Sequence, residues 1–264
     1  MLNLQVSKVP TIKPMPFWVA LIYFGASALL FRICVYAGFP LLLSAGIPQF
    51  PTLLISYITP LAILLIASLV MYRQEGNQLT WSAFKERFRL RPMNGKAWLW
   101  TAGGFVVGYL GSGALLFTSR WLATIPLFAP PAFLPAYLTP KVVPSLVYTE
   151  FLGVSLKGNW WFAIAYLVLL TFNIFGEEFW WRGYILPRQE LAHGKWTWLI
   201  HGTLWTLFHV PIYPWNLFSL LPTCLALSFV AQRLRNTWPG IVIHYISNGL
   251  VMIPIVLGIA GMRG

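Results

Sequence analysis

All six acidic residues of this 264-residue chain are glutamates, and two of them, Glu177 and Glu178, are adjacent. With Arg182 they sit inside a run from Trp160 to Leu186 that is otherwise uncharged and largely apolar. Each ionisable group at mid-membrane depth costs roughly 2.5–3.5 kcal/mol, so such groups are normally paired, turned inward and functional. On a helix, Glu178 and Arg182 are i,i+4 neighbours with the acid N-terminal, the better orientation for an ion pair. Glu177 is about 100° around the helix from Glu178 and needs other partners. The competing reading is a buried ion-pair cluster that only holds helices together.

Four other polar side chains interrupt apolar stretches further on. His201, Trp205 and His209 recur at i, i+4 and i+8, and His244 and Asn248 at i and i+4. At ~1.5 Å per residue, Glu177 is ~15 Å from Pro187, His209 ~20 Å from Trp196, and His244 and Asn248 ~9 and ~15 Å from Trp238. In an apolar core about 30 Å thick, all four fall in or near the inner half. A carboxylate, two imidazoles and an amide at matching depth suit hydrolysis. Glu and His share a water and remove its proton as general base, and a neighbouring His and Asn donate to an oxyanion.

The elements that must hold these groups are helices in a bilayer. Hydrophobic residues make up 58% of the chain and charged residues 9%, with a mean hydropathy of +0.70, which excludes an ordinary soluble globular domain. Several runs exceed 18 largely apolar residues and lack the period-2 alternation of a barrel. The expected fold is therefore all-α and polytopic, with about seven spans enclosing an intramembrane polar cavity. The net charge of +12 falls between the apolar runs, where the positive-inside rule accounts for it without nucleic acid. Cys34 and Cys224 lie in apolar segments and read as packing residues. A cleavable signal peptide is not expected, since the apolar stretch from Phe17 is too long for one.

In chain order, residues 1–16, with Lys8 and Lys13, read as a cytoplasmic tail. Spans are expected at Phe17–Leu43, where Arg32 snorkels or pairs with a glutamate, and at Thr52–Tyr72. Residues 73–96 form a basic loop. Trp81, Phe84 and Phe88 give it a short amphipathic helix suited to an anionic inner leaflet. A third span, Ala97–Leu122, carries Gly103, Gly104, Gly108, Gly111 and Gly113, which permit close packing. Residues 123–158 hold Pro126, Pro130, Pro131, Pro135, Pro140 and Pro144, too many for an ordinary helix. They read as an outer interfacial or re-entrant cap, or as an eighth span. Further spans follow at Asn159–Pro187, Trp196–Trp215 and from Asn216 to Gln232. The last is capped by Thr237 and runs to Ala260. This places the basic clusters on the cytoplasmic side, and only Arg120, Lys141, Lys157 and Arg263 outside. Residues 1–158 carry no motif, and the polar constellation is confined to 159–260.

Glu177-Glu178-x-x-x-Arg182, then Trp205-x-x-x-His209, then His244-x-x-x-Asn248 resemble the three motifs of the CPBP (CAAX-processing and bacteriocin-processing, or Abi) intramembrane protease family, which includes the prenyl-protein CAAX endopeptidases. The likeness covers residues of about 159–260 and departs at Trp205, where Phe is usual. It implies an endopeptidase in which Glu177 and His209 activate water and His244 and Asn248 stabilise the oxyanion. Glu178 and Arg182 would set the cavity electrostatics. The implied partners are the lipid bilayer and a membrane-anchored or prenylated protein or peptide. No cofactor is expected; a Zn2+ site of Glu177, His209 and His244 is the alternative, although there is no HExxH. A non-catalytic scaffold or immunity-type binding protein of the same family is a second reading. A secondary transporter would show repeats and paired broken helices. Short loops suit a bacterial plasma membrane, with the N-terminus cytoplasmic.

Overall fold

The computed structural model describes residues 12–142 and 145–262 and is 73% helical. Lys8, Pro144 and Arg263, named above, lie outside the described residues. Helix α1 (Phe17–Ile33) continues through a π-helical turn, Cys34–Gly38, into α2 (Phe39–Ser44). Then come α3 (Gln49–Gln74), α4 (Trp81–Arg87), α5 (Gly95–Ala114) and α6 (Leu116–Leu122). After the proline-rich segment follow α7 (Trp160–Glu178), a π-helical stretch Phe179–Ile185, and α8 (Leu186–His193). The chain ends with α9 (Thr197–His209), α10 (Leu221–Leu234), α11 (Trp238–Gly249) and α12 (Met252–Ile259).

Among the described residues, four stretches are long and apolar enough to cross a membrane: Phe17–Ser44, Gln49–Gln74, Gly95–Leu122 and Trp160–His209. A fifth is counted if α11 and α12, bent by 52°, form one broken span. Helix lengths therefore do not establish the seven or eight spans expected from the sequence. With 13 and 14 residues, α9 and α10 each rise only about 20 Å, short of a core about 30 Å thick.

Three helix pairs form the frame. α3 packs along α7, and α10 packs against both α5 and α9. Gly104 and Gly108 let α5 approach α10: a Cβ at either would come within 2.6 Å of Val230 or 3.1 Å of Thr223. Gly176 does the same for α7, where a Cβ would stand 2.6 Å from the Leu61 carbonyl oxygen of α3. That oxygen belongs to the backbone and cannot rotate away.

The basic loop is pinned rather than free. Glu75 is bonded by both Arg87 and Arg188, Arg89 grips Glu190 through two bonds of 2.8 Å, and the Thr237 hydroxyl donates to the Phe88 carbonyl at 2.7 Å. Thr237 is thus not the side-chain cap expected of it; the Asn236 oxygen accepts from the Trp238 amide instead. Phe84 and Phe88 turn inward onto Tyr72 and Phe179, while Trp81 stays exposed. Arg32 pairs with no glutamate. It donates to the Pro211 carbonyl at 2.7 Å and lies 3.3 Å from the Tyr36 ring centre.

Proline disrupts helix over most of 123–158. The described part holds two 3-10 turns, Pro126–Phe128 and Ala136–Leu138, and a hairpin of Glu150–Phe151 with Val154–Ser155. The final helix does not run unbroken to Ala260: it turns at Leu250–Val251.

Candidate active site

The carboxylates stand where α7 passes into the π-helical stretch, a backbone form that recurs at functional sites. The Arg182 guanidinium donates to Glu178 Oε1 at 2.9 Å, and both side chains are fully buried. The His244 Nδ1–H, from α11, donates to the same oxygen at 3.0 Å. Glu178 Oε2 points at Gly240, where a Cβ would fall 2.3 Å away. Only glycine lets α11 come this close. The guanidinium also lies 3.5 Å from the Trp205 ring centre, a desolvated cation–π contact.

Glu177 points another way, as its place on the helix requires. Its Oε1 accepts from Asn173 Nδ2 at 2.9 Å, and its Oε2 from the indole N–H groups of Trp181 at 3.2 Å and Trp205 at 2.9 Å. A carboxylate has about four acceptor sites, so one on Oε1 is left for a water. Asn248 Nδ2 donates to Asn173 Oδ1 at 2.7 Å, which completes an amide chain from α11 to Glu177.

On α9, His209 Nδ1 lies 2.8 Å from the Trp205 carbonyl. A carbonyl only accepts, so Nδ1 carries the hydrogen and a neutral ring keeps its Nε2 lone pair for a proton. Trp205 therefore serves both groups: its indole nitrogen holds Glu177 and its backbone oxygen sets the His209 tautomer. The departure from Phe at this position adds a donor to the carboxylate that phenylalanine lacks.

A cavity of ≈360 Å³ is lined by Asn173, Glu177, His209 and Asn248, with tyrosines and aliphatic side chains around them. Three of the four residues expected to do the chemistry, Glu177, His209 and Asn248, thus meet, but His244 is not in the cavity wall. Gly176 rests against Leu61, midway along α3, so Glu177 lies level with the middle of that helix. Tyr137 and Leu138 of the proline-rich segment also line the cavity, as a cap would. His201 stands apart: it is buried, 2.6 Å from Gln189 Oε1. His193 sits half-buried at the end of α8. Cys34 and Cys224 are free thiols.

Asn173, Trp181 and Gly240 were missed from sequence. Asn173 and Trp181 carried a signal, since each lies four residues from Glu177 and so one helical turn away. Gly240 carried none, because its role exists only against another helix. Among the described residues, no three His, Cys, Asp or Glu side chains group closely enough to share a metal ion. The Glu177, His209 and His244 set is split: Glu177 and His209 face the cavity and His244 faces Glu178.

No curated protein and no solved structure matches the chain. Residues 159–250 match a family model described as Rce1-like, type II CAAX prenyl endopeptidase Rce1-like. The matched stretch contains Glu177, Glu178, Arg182, Trp205, His209, His244 and Asn248, and it supports membership of the CPBP family of CAAX-processing proteases for this part of the chain.

Proposed function

We propose that this protein is an intramembrane endopeptidase that hydrolyses a peptide bond of a membrane-anchored protein or peptide. The observation that carries the reading is the single cavity, within an apolar bundle, onto which Glu177, His209 and Asn248 all open. A water accepted at the free site on Glu177 Oε1 attacks the peptide carbonyl carbon, and its proton passes to His209 Nε2. The carboxylate of Glu177 stabilises the imidazolium so formed. The second N–H of the Asn248 amide, not used by Asn173, donates to the oxyanion. The proton then goes from His209 to the leaving nitrogen as the C–N bond breaks, leaving a carboxylic acid and an amine, which exchange the remaining proton to give a carboxylate and an ammonium.

In this reading Glu178, Arg182 and His244 are positioning residues. They fix α7 against α11 and so align Asn248 with Glu177. The host membrane is a bacterial plasma membrane. The test compares protein N-termini in membranes of cells that express the wild-type chain or Glu177→Gln at equal levels. Termini that depend on Glu177, and equally on His209 in a His209→Ala strain, are expected. Identical termini in all strains would remove the protease reading and favour the scaffold.

A further inference from the structure

The two ends of the molecule differ in charge, and the cavity extends from Glu177 toward only one of them. The basic loop 73–96, the segment 188–195 and the turn at 233–235 gather at one end, joined by the Glu75, Glu190 and Thr237 contacts described above. At the other end the described cations are Arg120, Lys141 and Lys157. Such asymmetry places the first end in the cytoplasm.

From Glu177 and His209 the cavity wall continues through Tyr57 in the first half of α3, Tyr166 in the first half of α7, Tyr213 and Asn216 beyond α9, and Tyr137 of the proline-rich segment. Each lies between the carboxylate and the sparsely charged end. No residue of the basic clusters lines this cavity. Its ≈360 Å³ is near the lower limit of small-ligand cavities, about 300–1,000 Å³, and takes a few residues of extended chain rather than a folded domain. Tyr213 donates to the Tyr57 hydroxyl at 2.7 Å, so Tyr57 keeps its own hydrogen for a peptide carbonyl.

We propose that the site is served from the non-cytoplasmic face. Its substrate is an extended, outward-facing segment of a membrane-anchored peptide or protein, and not a lipidated C-terminus on the cytoplasmic surface. The word substrate rests on the protease reading; the side of access does not.

The experiment is cysteine accessibility in a Cys34→Ser/Cys224→Ala background. Cys224 can be retained if its loss unfolds the protein, since it is 1% exposed and a buried thiol is inert. Single cysteines are introduced by Asn216→Cys in the cavity wall and Ser82→Cys on exposed α4. Each variant is treated with a charged, membrane-impermeant maleimide in spheroplasts and in inverted vesicles. The Asn216→Cys protein should react at least about ten-fold faster in spheroplasts, and the Ser82→Cys protein faster in inverted vesicles by a similar factor, because a charged reagent crosses the hydrocarbon core poorly. Reaction of both from the same face, reaction of the Asn216→Cys protein from the Ser82 side, or its reaction only after detergent solubilisation each overturns the proposal. Adding Glu177→Gln should leave the labelling unchanged. Failure to find cleavage therefore removes the protease reading without touching this result.

Discussion

Replacing Glu178 and Glu177 in turn by glutamine separates two adjacent carboxylates that the motif treats as a unit. Glu178 and Arg182 are both fully buried and 2.9 Å apart, and removing one partner of such a pair costs about 3–5 kcal/mol. Glutamine keeps an oxygen that Arg182 and His244 can still use, so the lower figure, ~3 kcal/mol, applies. At ~2–4 °C per kcal/mol for a protein of this size, Glu178→Gln should lower the unfolding midpoint in detergent by roughly 6–12 °C. Arg182→Gln should give a similar loss, since it leaves the carboxylate with one N–H donor in place of two. The double mutant should be milder than either, because both charges leave together. Glu177→Gln should behave differently. Its NH2 would face Asn173 Nδ2, but Asn173 and Asn248 can flip their amides in turn and restore every bond. Its midpoint should stay near that of the wild type, while activity falls about 10²–10⁴-fold, the range of general acid–base catalysis, because the water loses the carboxylate that holds it and His209 the charge that stabilises its imidazolium. Thermal unfolding followed by intrinsic fluorescence, alongside the N-terminus comparison above, reads both quantities. If Glu178→Gln is inactive in a fully stable fold while Glu177→Gln unfolds early, the two roles are assigned the wrong way round.

Trp205→Phe removes the indole donor to Glu177 Oε2 but keeps the ring beneath Arg182 and the carbonyl that orients His209. A hydrogen bond to a charged group contributes about 1.5–3 kcal/mol, so kcat/KM should fall about 10–100-fold with the fold intact; an unchanged rate would mean that Trp181 alone suffices. Gly176→Ala places a Cβ 2.6 Å from the Leu61 carbonyl and should cost about 1–3 kcal/mol by forcing α3 and α7 apart. A midpoint equal to the wild type would show that the helices yield freely. Purified protein should retain activity after chelation and carry no stoichiometric zinc by elemental analysis. Loss of cleavage on metal removal, restored by Zn2+, would reverse that choice.

Local spacing made much of the site legible. Apolar runs of more than 18 residues announced a helical membrane protein, and i,i+4 placement announced the Glu178–Arg182 pair. The 100° step between neighbouring helical residues required Glu177 to find partners elsewhere, as it does in Asn173, Trp181 and Trp205. The prolines of 123–158 argued against an ordinary helix, and the segment contributes Tyr137 and Leu138 to the cavity. The count of spans was less legible. Hydropathy marks where a helix can be buried, but not whether a 13-residue helix such as α9 reaches across.

His244 and Asn248 show where spacing stops being informative. One turn apart on one face of α11, they read from sequence as a pair with one task. In the folded protein His244 reaches Glu178 and Asn248 reaches Asn173. α11 runs antiparallel to α7, so a step of one turn forward on one helix is a step of about one turn back on the other. Sequence alone determined which side chains share a face, because that depends on backbone geometry within one helix. Only the tertiary structure decided which groups those faces meet. The partner, the distance and the access route depend on how two helices cross, and that crossing is set at Gly176 and Gly240, where a missing Cβ lets a carbonyl or a carboxylate come within reach.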